Sequence, residues 1–253
     1  MKLTFLGTGT SQGVPIIACQ CNVCQSTDSH DKRLRASVLI EDNGTNIVID
    51  AGPDFRQQML TARLKTLDAI LLTHEHRDHI AGIDDVRAFN YLMNQPMDIW
   101  AEKRVHDALR SEFTYIFAES KYPGIPEVVM HTIDGNPIQV KGIEAIPVRA
   151  YHRDLPVYGF RIGDIAYITD ANYIPEEEKE KIKGVKYLII NALRKKKHVS
   201  HFSLPEVILL AEELNPEIMF ITHISHQMGL HVDIQAELPP NIFLAYDGLI
   251  LDV

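Results

Sequence analysis

Residues 69–79 read "AILLTHEHRDH": an apolar run from Ala69 to Leu72, a threonine, and then His74, His76, Asp78 and His79 crowded together. A short apolar run bounded by polar residues predicts a buried strand, and α/β proteins commonly place their chemistry at strand ends. Imidazole and carboxylate groups at this density suit zinc, manganese or iron. A sharp turn of the loop lets the alternating His74 and His76 converge on one ion. The competing reading is a polar loop that happens to be rich in histidine. The H-x-H-x-D-H spacing directly behind an apolar strand argues against it.

Working outward, "KLTFLG" near the start reads as a strand, followed by a long loop containing Gly7, Gly9 and Gly13 and every cysteine of the chain, Cys19, Cys21 and Cys24. "ASVLIED" and "TNIVIDAG" are β-rich runs joined across Asn43-Gly44, a two-residue hairpin signal. "PDFRQQMLTARLK", "IAGIDDVRAFNYL" and "KRVHDALRSEFTYIF" have helical spacing, with "MDIWAE" as a strand between the last two. In the second half "IEAIPVRAYH", "VYGFRIG", "DIAYITDAN", "VKYLIINAL" and "EIMFITHIS" predict strands, and "FLAYDGLILDV" a closing one. "SLPEVILLAEEL" predicts a helix, with Ser203 and Glu206 forming a capping box and Pro205 in its first turn. Hairpins mixed with βα units predict two mixed sheets packed together with helices outside, in one domain spanning 1–253.

The 253 residues carry 25 Lys and Arg against 34 Asp and Glu, a net charge of -9. That balance argues against nucleic acid and anionic membranes as partners, though not against a local positive site. "MKLTFLGTGTSQG" is too short for a secretory apolar core and no long apolar run follows, so a cytoplasmic protein is expected. There thiols stay reduced, and three cysteines within six residues then point to a metal and not to disulfides.

The H-x-H-x-D-H run, preceded by "NIVIDAG" and followed by isolated His and Asp residues, resembles the metallo-β-lactamase superfamily over essentially the whole chain. The resemblance implies an αββα sandwich with two divalent catalytic metals at one edge, zinc or manganese or iron. Carried over, His74, His76 and His152 hold one metal, Asp78, His79 and His223 hold the other, and Asp170 bridges them. Asp50 orients ligands without binding metal; a turn-capping aspartate before Gly52 is the equal alternative. Two such ions with Asp78, Asp170 and a bridging hydroxide leave roughly one positive charge, a focus for a phosphodiester. His201 is the candidate general acid, with His198 as a rival, and Asp78 joins it among the catalytic candidates. The run Arg194–Lys197 is expected to be a solvated face beside that acid, and Asp247 a turn residue, with support of the site from behind the ligands as its alternative.

"GTGTSQGVP", "CQCNVC" and "THISHQ" together resemble the PhnP-type cyclic phosphodiesterases. In that family C-x-C-x-x-C and a late histidine form a structural zinc site, which maps to Cys19, Cys21, Cys24 and His226. A Cys3His set is closed, with no position left for water. The implied substrate is a small cyclic phosphodiester, such as phosphoribosyl 1,2-cyclic phosphate or a cyclic nucleotide, and a homodimer is implied as well. Segment 103–131 and Arg194–Lys197 have no counterpart in the resemblance. Two alternatives stand beside it: a tRNase Z-like nucleic-acid processing hydrolase, and a non-catalytic metal-binding module.

Overall fold

The computed structural model describes residues 1–119 and 122–253. The first half of the chain builds one sheet from β1 (Lys2–Gly7), β2 (Ser37–Asp42), β3 (Thr45–Ile49), β4 (Ala69–Leu71), β5 (Met97–Ala101) and β6 (Val128–Thr132). The second half builds another from β7 (Ile138–Val140), β8 (Ile143–His152), β9 (Leu155–Ile162), β10 (Ile165–Ile168), β11 (Tyr187–Asn191), β12 (Ile218–Thr222) and β13 (Ile242–Leu244). A last strand, β14 (Ile250–Asp252), returns to the first sheet beside β1, giving the orders β14-β1-β2-β3-β4-β5-β6 and β13-β12-β11-β10-β9-β8-β7. Each sheet is antiparallel at one side and parallel at the other, with β3 to β6 and β10 to β13 parallel.

Alternation along the strands sorts the core into layers. Leu3, Phe5, Val38, Ile40, Ile47, Ile49 and Leu71 face Tyr158, Phe160, Tyr167, Ile189 and Phe220 across the space between the sheets. The intervening Leu39, Val48 and Ile70 turn outward under the helices α2 (Phe55–Ala62), α4 (Arg87–Met93) and α5 (Lys103–Glu112). On the other outer face α6 (Glu176–Ile182), α7 (Leu204–Leu214) and α8 (His231–Glu237) cover Val148, Ile168, Ile190 and Ile221. Two one-turn helices, α1 (Asn22–Gln25) and α3 (Arg77–Ile80), belong to the loops treated below. The layers are those of the expected αββα sandwich. Among the described residues no helix is long and apolar enough to cross a membrane.

The Asn43-Gly44 turn joins β2 to β3 with both residues at positive φ, and α7 carries both bonds of its Ser203–Glu206 capping box. Other expectations change. The helix expected across 80–92 splits into a 3₁₀ turn, Ile83–Val86, and α4, and Gly82 before them packs where a Cβ would lie 2.2 Å from the Gly52 carbonyl oxygen. The tail is not one strand: Gly248, at φ 90, turns it, so Ile242–Leu244 and Ile250–Asp252 enter different sheets. The sequence reading has no counterpart for β6, β7, α6 or α8. α6 is "EEEKEKI", with Ile182 as its buried residue, so it shows no apolar period.

Gly52 joins this framework to the site, since a Cβ there would sit 1.9 Å from the Asp78 carbonyl oxygen. Gly52→Ala is expected to destabilise the fold by about 1–3 kcal/mol through overpacking, read as a lower urea midpoint. An unchanged midpoint would show that the 78–79 backbone gives way freely.

Candidate metal centre

The parallel strands of both sheets deliver their C-terminal ends to one edge, and the polar residues sit just beyond them. Three of these junctions share a local form: Thr73-His74 after β4, Thr169-Asp170 after β10, and Thr222-His223 at the end of β12. Each threonine is buried. Asp50, Asp170 and His223, with φ of 66, 53 and 54, leave their strands in the left-handed region. For residues with a Cβ that costs about 1–2 kcal/mol each, and the turn swings the Asp170 and His223 side chains off the sheet into the cleft and that of Asp50 onto the outer nitrogen of His79. His152 is the last residue of β8, whereas Asp78 and His79 occupy the single turn α3.

The geometry brings the predicted donors together. His79 Nε2 lies 3.2 Å from Asp78 Oδ2 and 3.4 Å from Asp170 Oδ1, and His223 Nε2 lies 2.9 Å from Asp170 Oδ1 and 3.8 Å from Asp78 Oδ2. On the other side His74 Nε2 is 3.0 Å from His76 Nδ1 and 3.9 Å from Asp170 Oδ2. Donor atoms therefore cluster as Asp78–His79–Asp170–His223 and as His74–His76–Asp170, with Asp170 in both. His152 groups with Asp170 and His201 instead, its ring 5.1 Å from that of His76 and 4.5 Å from that of His201.

Hydrogen bonds on the far side of the rings say which nitrogen is free. His152 Nδ1 donates to the Ser200 carbonyl oxygen at 2.7 Å, and His79 Nδ1 donates to Asp50 Oδ2 at 2.6 Å. Asp50 is fully buried and also accepts from the Thr73 amide (2.9 Å) and hydroxyl (2.9 Å). With its proton spent on Asp50, that hydroxyl accepts from His74 Nδ1 at 2.9 Å. Three imidazoles thus commit the outer nitrogen and turn the other toward the cavity, the orientation that metal ligation requires. Asp50 therefore holds His79 and Thr73 by hydrogen bonds, beyond what capping a turn would require.

Charge completes the case for cations. Burial lowers the His79 and His223 pKa values, but Asp170, with Asp50 and Asp78 at His79 and with Asp78 at His223, overturns it: His79 ends well above its ordinary range and His223 at about 9. The carboxylates in turn stay ionised against burial because those two rings are charged. Yet the buried His79 Nε2 and both His223 nitrogens have no aligned hydrogen-bond partner. Buried polar atoms this close to acceptors but unbonded are arranged for something other than hydrogen bonding. The donor set fits divalent ions.

The cysteines form a second cluster. Cys19, Cys21 and Cys24 place their sulfurs 3.3, 3.3 and 3.5 Å from His226 Nδ1. Tetrahedral zinc bonds separate a sulfur and a nitrogen ligand by about 3.5 Å, so these four atoms fit one ion. The amides of Cys24 and Ile16 point at Cys21 and Cys24 sulfur, each at 3.4 Å. The first of these is the main cause holding the Cys21 thiol down at about 6, while burial pushes Cys24 up to about 11. The Thr10 amide donates to the Ile224 carbonyl and the Ile224 amide to Thr8, so the cysteine loop is stitched to the segment between His223 and His226.

His201 is buried, its ring 4.9 Å from and nearly parallel to that of His223; its Nδ1 has no partner. Burial first, then the positive His223, pulls its pKa to about 3. His198 lies one layer out, 5.2 Å from His201. In the run beside them Lys195 pairs with Glu237 and Lys197 with Glu206, whereas Arg194 bonds the Lys196 and Lys197 carbonyls and the Gln227 amide oxygen, with no carboxylate among those contacts. Asp247 is more than a turn residue: it accepts from Thr8 Oγ1 and the Leu34 amide at 2.7 Å each, and burial raises its pKa to about 6. Sequence reasoning missed Thr73, and it missed Asn191, whose amide pins both backbone groups of Ala171 behind Asp170. The repeated "TH", "TD", "TH" at strand ends was the available signal.

The chain belongs to the β-lactamase superfamily: the profile of the β-lactamase superfamily domain matches residues 45–224, a span that holds every candidate catalytic donor. The similarity narrows to one branch. A crystal structure of a new diphosphatase from the PhnP family superposes with a TM-score of 0.93 at 40% identity, covering 99% of this chain and 96% of that one. The match therefore extends over the cysteine segment, outside the matched domain. An octanoyltransferase of Porphyromonas gingivalis is 43% identical over 253 residues, covering 98% of this chain and 51% of that protein. The chain spans about half the length of the curated relatives it matches. Zn(2+)-bound PqqB from Methylobacterium extorquens shares the fold, with a TM-score of 0.79 at 19% identity and full coverage of both chains.

Metal affinity at the shared site is expected to fall about tenfold per pH unit for each proton displaced as pH drops below about 9, because a raised His223 pKa means a proton must leave first. A flat profile in chelator competition from about pH 6 to about pH 9 would contradict the protonated rings. Cys21→Ser is expected to release one zinc by metal analysis and to lower the unfolding temperature. Retention of wild-type metal content would exclude the cysteine cluster as a metal site.

Proposed function

We propose that this chain is a metal-dependent phosphodiesterase that opens a small cyclic phosphodiester, with phosphoribosyl 1,2-cyclic phosphate and cyclic nucleotides as the substrate class. The observation that carries the reading is Asp170, shared by two donor clusters whose buried histidine nitrogens lack aligned partners, in a chain 40% identical to a PhnP-family diphosphatase. His74, His76 and His152 would hold one divalent ion, Asp78, His79 and His223 the other, with Asp170 between them. Two divalent ions would supply an activated water and a clamp for the oxygens of the phosphate. The cysteine cluster with His226 would hold a structural zinc.

The protein's own groups account for the rest. Asp50 and Thr73 fix the His74 and His79 tautomers, so the donors need no reorganisation when substrate arrives. Asp78 and Asp170 carry two negative charges, fewer than two divalent ions bring, which leaves a positive focus inside a chain of net charge -9. That focus selects an anionic group at the metals without making the surface attractive to nucleic acid. Opening the ring leaves an alkoxide in need of a proton, and His201 stands at the cavity wall beside His152 and His223. A bound phosphate brings negative charge beside the His201 ring, which favours its protonated form, and the ring then gives that proton to the leaving oxygen.

A diphosphate is the second substrate class, favoured by the similarity to a PhnP-family diphosphatase and by Arg194, on the loop leading to His201, whose guanidinium bonds neutral oxygens and no carboxylate among the described residues. The deciding experiment is metal-loaded turnover on a ribose cyclic phosphate, a linear diester, a nucleoside diphosphate, an octanoyl thioester and a tRNA precursor. The cyclic phosphate is expected to give the highest kcat/KM. Preference for the diphosphate transfers the assignment to that class, and preference for the thioester or tRNA overturns it. No turnover of any of them leaves a non-catalytic metal-binding module.

His201→Ala is expected to lower kcat for an alkoxide leaving group about 10²–10⁴-fold with metal content unchanged. The deficit should shrink with a nitrophenolate leaving group, which departs without a proton. Loss of metal in this variant would instead make His201 a ligand, which its position near His152 and Asp170 geometrically allows.

A further inference from the structure

Within the run His74 to His79, Glu75 and Arg77 are the residues that join neither donor cluster, and both are ion-paired to the same helix, α5. Glu112, at the end of α5, accepts from Arg77. This pair is largely exposed, so it contributes little. The pair at the other end is different. Arg104, in the first turn of α5, donates through Nη1 to Glu75 Oε2 and through Nη2 to the Pro156 carbonyl oxygen of β9. The same Nη2 also donates to Glu102 Oε2, at 3.3 Å. Glu102 in turn accepts both Nη groups of Arg149 in β8, at 2.8 and 3.1 Å, and the Arg149 guanidinium lies 3.7 Å from the centre of the Tyr158 ring.

The register shows where this network leads. Pro156 is paired with Tyr151 and Arg149 with Tyr158 across the β8–β9 hairpin, whose final pair is His152 with Leu155. One guanidinium therefore touches the loop that presents His74 and His76 from the first sheet and the hairpin that presents His152 from the second. The Tyr158 amide of β9 donates to the Thr73 carbonyl oxygen at 3.0 Å and joins the two segments at the root of the loop, but among the described residues no hydrogen bond joins them further out, where the His76 and His152 rings meet edge to face at 5.1 Å.

We propose that Arg104 is a positioning residue for the metal centre. Acting through Glu75 on one side and through Pro156 and the Glu102–Arg149 pair on the other, it sets the separation between His74/His76 and His152. The planar guanidinium suits this because its fixed fork bonds a carboxylate and a carbonyl together, which an ammonium on a flexible stem does not reproduce. α5 then works as a splint for the ligand loop, a role for part of the segment that has no counterpart in the sequence resemblance.

The inference rests on the proposed metal reading, and a cobalt(II) titration of metal-free protein separates the two. Wild type should show a thiolate charge-transfer band from the cysteine cluster and further ligand-field absorption from the histidine–aspartate sites. Absence of the latter in wild type refutes the metal reading itself. In Arg104→Met the thiolate band should persist as evidence of folding, while one of the histidine-site equivalents weakens about 10–100-fold, the usual range for groups that orient ligands. Glu75→Gln should show part of that loss, and the double variant no more than Arg104→Met alone. Arg104→Lys should recover only a fraction. Wild-type titration of Arg104→Met overturns the proposal. If that variant loses the thiolate band as well, Glu75→Gln decides: a wild-type titration overturns it and a selective loss supports it.

Discussion

Two carboxylates, the half-buried Asp78 and the buried Asp170, have imidazoles as their nearest cations, and the rest of the molecule is organised around keeping them there. Left alone, buried carboxylates would take up protons. Here His79 and His223 counter that charge against their own desolvation, and divalent ions would take over the task once those rings give up their protons. Fold, loops and hydrogen bonds read as answers to that constraint. A sandwich whose sheets are each parallel on one side sends several strand ends to one edge, and left-handed residues at those ends turn the side chains inward.

Behind the donors lies a layer of groups that never face the cavity. Asp50 and Thr73 commit the outer nitrogens of His74 and His79, the Ser200 carbonyl commits that of His152, and Asn191 holds the loop that carries Asp170. This layer limits rotation of the rings, so the cost of assembling the site falls on folding and not on each binding event. The cysteine cluster does related work at longer range. Through Thr8, Thr10 and Ile224 the N-terminal loop is tied to the strand end that supplies His223, and His226 lies only three residues further on.

Much of this was legible in advance because ligand chemistry is carried by residue type and close spacing. H-x-H-x-D-H, C-x-C-x-x-C and the strand-terminal His152, Asp170 and His223 are local facts. The Ser203–Glu206 cap and the Asn43-Gly44 turn are also decided by neighbours, and they form as expected. Elements without a local signature were not legible. α6 buries Ile182 in an otherwise charged run, and β6 is a half-exposed strand at a sheet edge. The division of the last residues between two sheets depends on which neighbours are free to pair, since Ile242–Leu244 adds to β12 and Ile250–Asp252 to β1.

The sequence by itself determined which atoms are available: the histidines and carboxylates at strand ends, the three thiols, and the apolar alternation that makes two sheets and buries one face of each. Only the tertiary structure decided how those atoms are shared. Asp170 belongs to both donor clusters, His152 leans toward His201, and Arg104 joins two ligand segments. None of these relations is encoded in spacing, because each joins residues tens of positions apart. Their separation is fixed by the packing of one sheet on the other, and that distance sets which charges and lone pairs meet.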